Sequence, residues 1–107
     1  MISIVGIGNA SSKIASKFKS QNNYDVYLLG SNYENSKNSF KLQSFDNPED
    51  YEKNIPDLKS FFKDMKGDVQ VFITGSSYSS NYALGVLEQI KDKKIQVFYI
   101  KPDTELL

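Results

Sequence analysis

Ile2-Ser3-Ile4-Val5-Gly6-Ile7-Gly8-Asn9-Ala10-Ser11-Ser12 follows the first methionine, and its reading decides the fold. Residues 2–7 are a short apolar run of strand length. Residues 10–20 then place Ala10, Ile14, Ala15 and Phe18 on one helical face, with Lys13, Ser16 and Lys17 elsewhere. A strand that passes into a helix through two glycines is the opening half of a βαβ unit.

The same alternation continues outward. Asn22-Asn23 ends the helix, and Tyr24–Gly30 is a second strand. Residues 31–39 are polar and show no period, so they read as a loop. Phe40-Lys41-Leu42 reads as a short edge strand. Asn47-Pro48-Glu49-Asp50 is a helix start with proline at the first helical position. A second start at Pro56 precedes Leu58, Phe61, Phe62 and Met65, an apolar stripe at helical spacing that Gly67 ends. Val69–Thr74, β-branched and aromatic, is the strongest strand. Residues 82–92 predict a helix with Leu84, Leu87 and Ile90 on its apolar face, and Ile95–Ile100 is the last strand. Helical crossovers between apolar strands require a parallel sheet. The pattern therefore predicts one α/β domain over residues 1–107, with a doubly wound, mostly parallel, Rossmann-like sheet of four to five strands.

Composition removes several chemistries. Among 107 residues there is no Cys and no His. That excludes disulfides, thiol catalysis and thiolate metal sites, and it disfavours triad hydrolases and zinc enzymes. All 13 basic residues are lysine, so no arginine finger or bidentate guanidinium clamp can come from this chain. Thirteen carboxylates balance them, and zero net charge argues against nucleic acid as a partner. No apolar run is long enough to span a bilayer, and the N-terminus lacks the basic segment of a secretory signal. The sequence thus predicts a cytoplasmic protein without a membrane partner.

In open parallel sheets, ligands bind outside the carboxyl ends of the strands. Two such ends are unusual here. Gly6-Ile7-Gly8-Asn9-Ala10-Ser11 is a variant of Gly-x-Gly-x-x-Gly with Ser11 in the third slot. Gly6 and Gly8 permit a tight turn and close backbone approach to a phosphate, and the helix start adds free N–H groups. Ser11 and Ser12 add hydroxyls. Thr74-Gly75-Ser76-Ser77-Tyr78-Ser79-Ser80-Asn81 likewise joins a strand to a helix. It reads as a second anion cradle, or more plainly as a solvated loop with a Ser or Asn cap. Tyr78 and Tyr82 flank it, placed either to stack on a base or to pack in the core. A dinucleotide domain also places a carboxylate near the end of its second strand. Here that strand ends Leu29-Gly30-Ser31-Asn32, which argues against NAD and leaves NADP as the alternative. Asp46, Glu49, Asp50 and Glu52 read as a solvated helix start. Lys91, Lys93 and Lys94 suit the dipole of a helix C-terminus.

These residues carry a resemblance. The chain resembles the N-terminal nucleotide-binding half of the tubulin/FtsZ superfamily, and more closely the short, divergent tubulin-like proteins of bacteriophages. Residues 2–18 line up without a gap on that family's first strand, glycine-rich loop and first helix. Residues 69–81 fall on its strand and signature loop, and residues 95–102 on the strand after it. The resemblance implies a sheet order of 3-2-1-4-5, with GTP or GDP, with or without Mg²⁺, across the strand ends. It maps Gly6, Gly8, Asn9, Ser11 and Ser12 onto the first phosphate loop. It maps Gly75, Ser76, Ser77, Ser79, Ser80 and Asn81 onto the signature loop.

The chain departs from the family where Asn9-Ala10-Ser11 replaces most of a glycine run, and where Lys13 stands in place of a guanine-contacting Asn. The signature loop is shorter and serine-rich. The family's catalytic acidic loop lies beyond these residues and acts on nucleotide held by the neighbouring subunit of a filament. The resemblance therefore implies a truncated tubulin-like protein. It would bind guanine nucleotide in the (host) cytoplasm, self-associate as a homo-oligomer or filament, and not hydrolyse GTP alone. The rival readings are a non-enzymatic interaction module that kept the fold and lost the ligand, and an NAD(P)-binding domain of a reductase.

Overall fold

The computed structural model describes residues 1–75 and 81–101. Strand β1 (Ile2–Ile7) leads into helix α1 (Asn9–Ala15), which tightens into a 3₁₀ helix over Ser16–Ser20. Strands β2 (Tyr24–Gly30) and β3 (Ser39–Lys41) follow, then helix α2 (Pro48–Lys53), strand β4 (Asp68–Thr74), helix α3 (Ala83–Gln89) and strand β5 (Ile95–Ile100). The five strands form one sheet in the order β3-β2-β1-β4-β5, every neighbouring pair parallel. The α/β Rossmann-like architecture is the one expected, including its strand order.

Alternation along the strands divides the core into two layers. Val5 and Ile7 of β1, Tyr27 and Leu29 of β2, and Val69, Val71 and Ile73 of β4 share one face with Tyr51 of α2, Val86 of α3, and Leu58, Phe62 and Met65. Ile4, Val26 and Leu28 share the other with Ala15 of α1, and Phe18, Tyr24 and Phe72 pack at its margin. Central strands buried on both faces explain why Ile4-Val5 and Leu28-Leu29 are consecutive apolar pairs.

Two local expectations are corrected. Residues 58–65 are not a helix. One α-type bond, from the Phe62 N–H to the Leu58 carbonyl at 3.0 Å, gives way to tighter turns: Lys63 N–H to Ser60 O at 3.4 Å and Met65 N–H to Phe62 O at 3.0 Å. The apolar stripe is nevertheless buried as expected. The turns let Phe61 reach both Phe40 and Tyr27 while Phe62 also meets Tyr27 (centroids 5.6–5.8 Å). The Asp57 carboxylate and the Gln89 side-chain carbonyl take the Lys59 and Leu58 amides at 3.1 and 2.6 Å, and so fix the start of these turns.

The second correction concerns α3. Its buried stripe is Ala83, Val86 and Ile90 with Leu87 half-buried, spaced i, i+3, i+4, i+7. Leu84 falls about one step off that stripe and is 82% exposed.

Tyr27 gives the fold a pH signature. Burial pushes its hydroxyl up to about 12, and the Asp25 carboxylate, which accepts its hydrogen bond at 3.2 Å, pushes in the same direction. The folded state therefore holds this proton more tightly than the unfolded chain, whose tyrosine has a pKa of 10.0. The resulting stability is complete below pH 10 and is lost as pH rises toward 12. Urea titrations across that window should show wild type losing stability more steeply than Tyr27→Phe. Equal slopes would mean that the hydroxyl is solvated.

Candidate functional site

Strand order reverses at β1, which lies between β2 and β4. In such sheets the crevice at that switch point, outside the strand carboxyl ends, is where ligands bind. The chain leaves β1 there through Gly8, whose φ of 97° and ψ of 163° lie in a region essentially restricted to glycine. The Gly8 N–H bonds the Leu29 carbonyl at 2.8 Å, tying the turn to β2. Gly6 serves a different need. A Cβ there would lie 2.7 Å from Ser12 Cα, so glycine lets α1 rest directly on β1.

The first intrahelical bond of α1 runs from the Ser12 N–H to the Gly8 carbonyl at 2.9 Å. The amides of Asn9, Ala10 and Ser11 therefore lie outside the helical ladder. The first turn carries no acidic residue. Beside it lies an open cleft of about 470 Å³. Asn9, Ala10, Lys13, Asn32 and Tyr33 line it, with a lysine and no carboxylate. Such a surface favours an anion.

The serines are placed differently from the amides. Ser11 and Ser12 are fully buried. The Ser12 hydroxyl lies within reach of the Gly6 and Leu29 carbonyls at 3.0 and 2.7 Å, and it accepts the Leu29 N–H at 3.1 Å. Ser11 Oγ lies 2.6 Å from Thr74 Oγ1, a bond that joins the α1 start to the end of β4. Asn9 bridges the other way: its Nδ2 donates to Ser31 Oγ and its Oδ1 accepts the Asn32 N–H, each at 2.9 Å. These contacts knit together the ends of β1, β2 and β4.

Gly75 extends this surface at the end of β4, where its N–H bonds the Ile100 carbonyl at 3.1 Å and a Cβ would overlap the Tyr99 hydroxyl. Asn81 is half-buried just before α3. Ser76, Ser77, Tyr78, Ser79 and Ser80 lie outside the described residues. Tyr82 belongs to the core: it is 1% exposed, its ring meets Tyr51 at 4.9 Å, and its hydroxyl donates to Gln43 O at 2.8 Å. Burial, then the neighbouring Tyr51, raises its pKa above the usual tyrosine value.

The structure thus brings Gly6, Gly8, Asn9, Ser11 and Ser12 together, with Gly75 across Thr74. Sequence reasoning had not assigned Lys13, Asn32 and Tyr33 to the site. The signal for the last two was available, since they directly follow β2, a second strand end at the same crevice. Among the described residues, no group of three or more acidic side chains gathers to hold a metal ion, and no helix is long and apolar enough to cross a membrane. No family model, curated protein or solved structure matches the chain.

Proposed function

We propose that the crevice at the ends of β1 and β4 binds a nucleotide through its phosphates, and that the nucleotide is a guanine nucleotide, as the tubulin/FtsZ resemblance implies. The observation that carries the reading is the Gly8 turn at the switch point, which leaves the Asn9, Ala10 and Ser11 amides outside the helical ladder. Phosphates fit the amides of residues 9–11. The base and ribose fit the cleft between Lys13 and Tyr33. The buried serine hydroxyls already have protein partners, so they organise the loop. The role proposed for this site is nucleotide binding.

A second reading has its own support. Serines turned inward at Ser11 and Ser12 also suit a module that kept the fold and lost the ligand. Thermal-shift measurements with GTP, GDP, ATP and NADPH, each with and without Mg²⁺, separate the two. A ligand at about 100 times its Kd adds roughly 2.7 kcal/mol, which moves Tm by several degrees in a domain of this size. Ala10→Asp sharpens the test. Ala10 is exposed in the first turn, so a carboxylate there leaves the fold intact and suits the helix dipole. It should retain the unliganded Tm and weaken guanine-nucleotide binding at least tenfold. A wild type that melts cooperatively and responds to no nucleotide would favour the ligand-free module.

A further inference from the structure

We propose that the outer edge of β5, which no strand among the described residues pairs, is a docking site for an extended, apolar segment of another protein that carries acidic residues at its two ends, added to the sheet as a sixth strand.

The two edges of this sheet are built differently. β3 has three residues, one of them a lysine. β5 pairs in unbroken register over six residues, Val69↔Ile95 to Thr74↔Ile100, with no bulge. It contains no charge, proline or glycine. Those are the devices by which proteins protect an edge from pairing, and β5 has none of them. Its apolar side chains are also open to solvent: Val97 is 45%, Phe98 37% and Tyr99 60% exposed.

The backbone is aligned for pairing. The Val69 N–H bonds the Lys94 carbonyl at 2.9 Å and the Gly75 N–H bonds the Ile100 carbonyl at 3.1 Å. A parallel ladder alternates, so Lys94, Gln96, Phe98 and Ile100 face β4. The N–H and C=O groups of Ile95, Val97 and Tyr99 consequently point to the open edge.

Charge selects the occupant. Lys93 and Lys94 precede the strand and Lys101 follows it, and among the described residues none of the three makes an ion pair. A second copy pairing antiparallel over all six residues would set Lys94 against Lys101 at both ends, which is unfavourable. An apolar strand with acidic ends meets lysine at both ends. This is strand addition in which the main chain supplies affinity and the flanks supply selection.

The test uses the whole chain and a synthetic peptide of alternating valine and threonine, with two glutamates at each end, followed by fluorescence anisotropy. The control peptide has lysines in place of the glutamates. The acidic peptide should bind at least tenfold more tightly than the lysine peptide. The double variant Lys94→Glu/Lys101→Glu, altered only at exposed positions, should reverse that preference. Val97→Pro removes an outward N–H without touching the β4 ladder, so it should fold and lose at least tenfold in affinity. Absence of binding, equal binding of both peptides, or unchanged binding to a folded Val97→Pro would overturn the proposal. So would sedimentation showing a wild-type dimer that Val97→Pro abolishes, because the occupant would then be a second copy.

Discussion

Replacing Tyr82 with alanine is expected to cost about 4 kcal/mol of folding stability, within the range for removing a buried aromatic side chain. The ring is 1% exposed, packs edge-on against Tyr51 at 4.9 Å, and sits in the layer formed by Val5, Ile7, Val71 and Val86. Removing it takes away both the apolar area and the edge-to-face contact. Nearby groups cannot close the gap, because Tyr51 is itself held by hydrogen bonds to the Phe45 N–H and carbonyl at 3.0 and 3.1 Å. Tyr82→Phe should lose only about 1 kcal/mol, the value of the single bond to the Gln43 carbonyl. Chemical denaturation of the two variants checks this. A tyrosine whose main work was base stacking would show the opposite pattern, with stability near wild type in Tyr82→Ala and a selective loss of nucleotide affinity.

Gly6→Ala is the second large effect, at about 3 kcal/mol, the upper part of the range for overpacking a core. The added Cβ would lie 2.7 Å from Ser12 Cα, 2.8 Å from Ser12 N and 2.9 Å from Ser11 O. All three are backbone atoms, so no side chain can rotate out of the way. β1 cannot retreat either, because it is paired along its length to β2 and β4. The remaining escape is for α1 to lift, which strains the Ser12 contacts to β2 and the Ser11–Thr74 bond. A Tm lowered by roughly 12–24 °C follows for a domain of this size. A change of a few degrees at most would mean that α1 is not seated on Gly6.

Much of the fold was legible because burial writes itself as periodicity. Consecutive apolar residues at Ile4-Val5 and Leu28-Leu29 marked strands covered on both faces. Asn47-Pro48 marked α2, where proline does stand at the first helical position. The failures have physical causes. Leu58, Phe61, Phe62 and Met65 have helical spacing, but successive tight turns present the same four side chains to the sheet. Leu84 looked like part of a stripe because leucine is apolar, whereas the smaller Ala83 and Val86 are the α3 residues buried in the larger core layer. β5 has the composition of a buried strand and lies at the edge, a position that depends on strand order and not on local pattern.

The site was legible in part. Gly6 and Gly8 were marked by their type, and each has a distinct structural reason. The inward direction of Ser11 and Ser12 was not legible, because a serine hydroxyl reads the same whether it faces a ligand, the Gly6 carbonyl or Thr74. The cleft residues Asn32 and Tyr33 were legible only as followers of the β2 end; that the Asn9 side chain accepts the Asn32 N–H and seats this turn beside Lys13 leaves no mark in the sequence.

The central claim, that phosphate is held by the backbone at the start of α1, is tested most directly by titrating the ¹⁵N-labelled chain with GDP while following individual amide resonances. The account predicts saturable shifts at Asn9, Ala10 and Ser11, with the outward amides of Val97 and Tyr99 unmoved, and loss of the shifts in Ala10→Asp. Resonances that stay in place at millimolar GDP in a folded chain, or shifts confined to residues away from the β1 and β4 ends, would contradict it.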